Sequence, residues 1–136
     1  MAFSSSGHHL LSSRAVILLL LLWASTTANR AAHALLELSL EERAIAGRAA
    51  ILRYNLDHVL QIGLVFTEDA VTWEDAGVSN YLVLVVFCAF FDDGPYHHLL
   101  QSKMRFTVPW GLQPVWENIN RGSFRFTTFA LYVPAE

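Results

Sequence analysis

The chain predicts an α+β domain: one N-terminal helix packed across an antiparallel sheet of four to five strands. Three observations carry that expectation. They are a capped amphipathic segment that begins near residue 40, an apolar run at Tyr81–Phe91 too short to cross a membrane, and turn residues that cut the rest into strand-length pieces.

The helix comes first. Ser39 is a natural N-cap and Glu42, three residues on, completes a capping box; Glu41 adds a second acid at the positive end of the helix dipole. Ile45, Ala49, Leu52, Leu56 and Val59 recur at steps of four and three and are expected to form the buried stripe. Ala44, Ala46, Gly47, Ala49 and Ala50 make the first half thin, suited to lie close on a curved sheet, and Gly63 is the expected stop.

Strands follow. Ile62–Phe66 is expected as a short strand, then an exposed loop over Glu68–Gly77 that contains Trp73. Tyr81–Phe91 (YLVLVVFCAFF) is β-branched, aromatic and almost wholly apolar, which fits a central strand covered on both faces. Asp92-Asp93-Gly94-Pro95 is a turn signal, and Leu99–Val108 is the strand that pairs back after it. Pro109-Trp110-Gly111 marks a second turn, and Ser123–Val133 is a final strand with period-two alternation.

Ahead of the helix stand Arg14 and then Ala15–Trp23, an unbroken apolar stretch about half the ~20 residues a spanning helix needs. Small residues, Ala24 to Ala28, come next. That layout is a secretory signal peptide, expected over residues 1–28, with Ala32 or Ala34 as alternative cleavage sites. Residues 29–38 are then a linker or N-terminal arm and 39–136 the domain, expected to be secreted (extracellular or vacuolar) and free of membrane attachment once the leader is gone.

The formal net charge of the 136-residue chain is −3, and loss of Arg14 makes it −4. No basic cluster exists to hold nucleic acid or anionic lipid. Cys88 is the single cysteine, so no internal disulfide forms and packing alone must hold the core. His97 and His98 are neighbours, which on a strand face opposite sides and cannot easily share a metal. Glu68-Asp69 and Glu74-Asp75 read as solvated loop acids, and Cys88, mid-strand, as a buried thiol rather than a nucleophile. The chain is therefore not expected to be an enzyme, and no metal or cofactor is expected. Two indoles in turns remain, Trp73 and Trp110. In an antiparallel meander their loops emerge at the same end, and together they would form an apolar wedge for binding.

Ala46–Asn55 (AGRAAILRYN) resembles the helix signature of the plant cystatins, proteinaceous inhibitors of papain-like cysteine proteases. Gly47, Arg48, Ala50, Ile51, Tyr54 and Asn55 match and Ala46 matches weakly, while Ala49 replaces an aromatic and Arg53 an acid. Pro109-Trp110 is similar to the family's second-hairpin Pro-Trp, and element order agrees over about residues 38–118. The resemblance implies a tripartite wedge that occludes the protease's catalytic cysteine without presenting a scissile bond. Its parts are an N-terminal segment with a flexible Gly, a first hairpin loop Gln-x-Val-x-Gly, and the Pro-Trp loop. Carried over, the protease-binding residues are Trp73, Glu74, Asp75, Ala76 and Gly77 in the first loop and Pro109 and Trp110 in the second.

The wedge departs from the family in two of its three parts. Only Gly77, and more weakly Ala76, carry over in the first loop; a slip by one, judged from Tyr81, would instead put Val78 at the Gly position. The segment Asn29–Leu38 holds no Gly, and residues Ser123–Glu136 run past the family's usual end. An unpaired carboxylate buried in a cleft costs several kcal/mol, and each ~1.4 kcal/mol is a tenfold loss of affinity. The expectation is thus a secreted cystatin-like thiol protease inhibitor of plant type, weakened at its first loop, with a papain-like cysteine protease as partner. The alternative is a divergent cystatin-fold interaction module without inhibitory activity. A small α+β enzyme with a pocket under the helix shares only the element order. The resemblance also implies a tendency to exchange hairpins into a domain-swapped dimer, which the apolar Tyr81–Phe91 would suit.

Overall fold

A computed structural model describes residues 35–134; the expected signal peptide, the first six residues of the expected arm, and Ala135 and Glu136 lie outside them. One helix, α1 (Leu40–Asp57), packs on one face of an antiparallel sheet, as the sequence predicts. Three long strands carry that sheet: β2 (Gln61–Asp75), β3 (Val78–Phe91) and β5 (Leu100–Pro109), with β3 in the middle. Four two-residue strands trim it: β1 (Leu36–Glu37) on β2, β4 (Gly94–Pro95) on β3, and β6 (Arg125–Phe126) and β7 (Ala130–Leu131) on β5.

The capping box forms. Ser39 Oγ accepts the Glu42 N–H at 3.2 Å, and Glu42 Oε1 accepts the Ser39 N–H at 3.0 Å. These bonds hold the Glu42 carboxyl below its usual range, the backbone bond contributing most. The far end stops at Asp57, six residues before Gly63. His58 is already extended, and side chains take the last carbonyls: His58 Nδ1 lies 2.8 Å from Tyr54 O, and Gln61 Nε2 donates to Asn55 O and His58 O. No glycine is required for such a stop.

The buried face of α1 is not the expected stripe. Ala46, Gly47, Ala49, Ala50, Ile51 and Tyr54 are buried, whereas Leu52 and Leu56 are exposed and Val59 is fully exposed. Only Ala49 belongs to both sets. The sheet explains the rotation: Tyr81, Val83, Val85, Phe87, Met104 and Phe106 fill the space beneath the helix, so its small residues make the contact. At Gly47 any Cβ would overlap the Thr67 hydroxyl.

β2 runs unbroken through Asp75, which corrects the expected short strand and long loop. Its register with β3 shifts between Leu64 and Phe66 and again between Thr67 and Asp69, so Val65 and Glu68 are bulged residues. Two bulges interrupt the period-two pattern, which is why the segment does not read as one strand. Arg43 Nη1 donates to the carbonyl of bulged Glu68 at 2.7 Å. Asp69, expected in solvent, is buried in this strand, and its Oδ1 accepts the Ala70 N–H at 2.9 Å.

β3 is covered on both faces. Tyr81, Val83, Val85, Phe87 and Ala89 join the core under α1, and Leu82 and Leu84 pack with Val71, Trp73 and Leu35 on the other side. Cys88 is half-buried rather than buried, its thiol 3.7 Å from Gly63 O. The expected final strand Ser123–Val133 is reduced to β6 and β7. Between them Thr127 enters the ladder with its side chain: Oγ1 accepts the Lys103 N–H at 3.0 Å, and Ser102 Oγ donates to Thr127 O at 2.9 Å. Side-chain bonds of this kind satisfy the β5 edge where backbone alternation fails.

Two predictions follow from the contacts between α1 and β2. Gly47→Ala should destabilise the fold by about 2 kcal/mol through overpacking, although alanine is the better helix former by about 1 kcal/mol. Adding Thr67→Ala should recover part of that loss, measured as a double-mutant cycle in denaturant. Asn55 plugs the edge of β2 with both amide atoms, Nδ2 to Ile62 O at 2.8 Å and Oδ1 from Ile62 N–H at 2.9 Å. Asn55→Ala should cost about 2 kcal/mol by the same assay. Asn55→Asp should not restore it, because a carboxylate would then face the Ile62 carbonyl.

Candidate functional site

Strand pairing persists to the last residue at one end of the sheet. Asp75 pairs with Val78, which leaves Ala76 and Gly77 as a two-residue turn with φ of 53° and 80°. Two consecutive left-handed residues are the signature of a type I′ hairpin turn. Gly77 adopts that backbone freely; Ala76 does so at a cost of about 1 kcal/mol. Gly77, not Val78, therefore holds the second turn position.

On its other side β3 pairs with β5 just as completely, Val78 opposite Pro109. The chain that leaves β5 consequently emerges beside the Ala76–Gly77 turn. Trp110 N–H donates to Gly77 O at 3.2 Å, which ties the two turns together through the backbone. Pro109 fixes the approach, Gly111 reverses the chain at φ 88°, and Leu112 N–H closes the turn on Pro109 O at 3.1 Å. The Trp110 side chain is left 64% exposed. A shallow groove of about 340 Å³ separates the turns, lined by Glu74, Asp75, Ala76, Gly77 and Trp110. β1 runs antiparallel to β2, with Leu36 opposite Thr72 and Glu37 opposite Val71, so its N-terminal end is directed toward this same tip.

Six of the seven expected binding residues thus meet. Trp73 does not join them. It sits within β2 opposite Asn80, is buried on the face away from α1, and lies under the Arg105 guanidinium at 5.6 Å from its ring centroid. The wedge of two indoles is corrected to one indole beside a tight turn. The reason is the length of β2: once the strand reaches Asp75, alternation places the Trp73 ring on a sheet face. Of the two acids, Glu74 is exposed and Asp75 half-buried, both in strand rather than loop.

A second feature escaped the sequence reading. The Gly111–Pro114 segment folds back toward the start of α1 and encloses a cleft of about 250 Å³ lined by Leu38, Glu42, Ile45 and Tyr81 besides its own residues. An apolar Leu112 set between Gly111 and Pro114 was the available signal. Burial raises the Tyr81 phenol above its usual value; a hydrogen bond with Thr72 opposes that rise, and the Glu42 and Glu74 carboxylates add to it.

His97 and His98 are both exposed beyond the β3–β4 turn. Among the described residues no group of three or more His, Cys, Asp or Glu side chains could hold a metal ion. What the tip offers is contact surface: an exposed indole on a hydrogen-bonded turn, an exposed carboxylate and two backbone turns. The chain matches no protein-family model, no curated protein and no solved structure. A functional reading therefore rests on the geometry of the tip and on the sequence resemblance.

Relief of the strained turn position tests the hairpin assignment. Ala76→Asn should stabilise the fold by about 1 kcal/mol, and Gly77→Ala should destabilise it by a similar amount; denaturant midpoints check both.

Proposed function

We propose that the chain is a secreted cystatin-like inhibitor of papain-like cysteine proteases, which inserts the Ala76–Gly77 and Pro109-Trp110 turns together into the protease cleft. The observation that carries this reading is the bond from Trp110 N–H to Gly77 O, which holds the turns side by side at one exposed end. Each turn stands on a strand paired to its last residue, so little conformational freedom is lost on binding. An exposed, backbone-anchored indole is the kind of side chain that dominates binding energy at interfaces. The direction of β1 supports the reading, since its N-terminal end at Leu36 points toward the same tip.

The inhibitor is a weak one on this account. Its first hairpin narrows to two residues, and Glu74 must lose water if the cleft in front of it is apolar. These two features also favour the second reading, a module that uses the same tip to bind a partner without blocking a protease.

Inhibition of papain by the chain lacking residues 1–28 separates the two. Reversible inhibition at micromolar concentration is expected, and Trp110→Ala should weaken it about 30-fold, the equivalent of a ~2 kcal/mol anchor. A folded chain that leaves papain fully active at tens of micromolar would overturn the inhibitor reading.

A further inference from the structure

We infer that the groove between the Ala76–Gly77 turn and Trp110 docks a basic side chain, arginine or lysine, of the protein partner. The inference rests on the proposed reading of the tip as a protease-binding end, and it narrows the partner to one that presents a cation there.

Two independent features of the groove favour a cation. One wall is the exposed Trp110 indole, whose π-face attracts guanidinium and ammonium groups. Another is the exposed Glu74 carboxylate, with Asp75 beside it; the charge argument uses Glu74 alone. None of the five lining residues is basic. Pro109, Gly111 and the bond to Gly77 O fix the backbone that carries the indole. The molecule already uses the same chemistry once, where Arg105 lies over Trp73 on the sheet face. An apolar side chain in the groove would strip water from Glu74 and return nothing to its charge. A basic one satisfies the ring and the carboxylate together. Glu74 is then a specificity element: a cost in front of an apolar cleft and a gain in front of a basic rim.

The test titrates the folded chain with the tripeptide acetyl-Gly-Arg-Gly-amide and with its citrulline counterpart, which has the same shape without the charge. Nitrogen–proton correlation spectra report the Trp110 indole and the Gly77 amide. The arginine peptide should shift both signals saturably and bind about tenfold more tightly than the citrulline peptide. Glu74→Gln should weaken arginine binding roughly fivefold and leave citrulline binding unchanged. Equal shifts from the two peptides, or none at millimolar concentration, would overturn the inference. Arginine selectivity in a chain that does not inhibit papain keeps the groove and removes the inhibitor reading; papain inhibition without arginine selectivity does the reverse.

Discussion

Gly47 brings the backbone of α1 against Thr67 of β2, closer than any side chain at that position would permit. Much of the architecture adapts to this approach. The buried face of the helix is largely alanine and glycine, with Ile51 and Tyr54 as its only large apolar groups, so close contact must supply the dispersion energy that bulk would otherwise provide. The bulges at Val65 and Glu68 flank Thr67 and bend β2 beneath the helix. Arg43 holds one bulge through the Glu68 carbonyl, and Asn55 holds the start of β2 through both atoms of its amide. The helix is thereby fastened to one strand at three points along its length.

What α1 and β2 fix, β3 transmits. It pairs along most of β2 on one side and, from its first residue, with β5 on the other, so the registers decide which residues finish at the same end of the sheet. Those residues are Ala76–Gly77 and Pro109-Trp110. Long paired strands make a stiffer mount than free loops, and stiffness is what a binding surface of two short turns requires. The same pairing takes Trp73 out of the tip and gives it to the sheet face, under Arg105.

The parts of this arrangement that were legible in the sequence are those decided locally. Ser39 with Glu42 writes the start of the helix, Asp92 to Pro95 writes a turn, and an apolar run with no polar face writes the central strand. Proline and glycine around Trp110 mark the exposed turn for the same reason. The parts that were not legible are decided by distant neighbours. Leu52 and Leu56 look like core until Gly47 meets Thr67 and turns the helix away from them. The bulges of β2 hide a strand of fifteen residues behind a broken alternation, and with it the place of Trp73. The strap from Ser123 onward alternates well on paper, yet between its two short strands Thr127 mixes one backbone bond to Lys103 with side-chain bonds. Of the site, the Pro109-Trp110 turn could be read; the narrow Ala76–Gly77 turn, hidden in an expected long loop, and the bond between the two could not.

Hydrogen exchange of the chain, alone and with papain whose catalytic cysteine is replaced by alanine, tests the central claim that this paired tip is the binding end. The account expects slowed exchange at the amides of Ala76 to Ser79 and Trp110 to Leu112, with Ala46 to Tyr54 of the helix unchanged. Protection confined to the opposite end, around Asp92 to Leu99, or no protection at all, would contradict it.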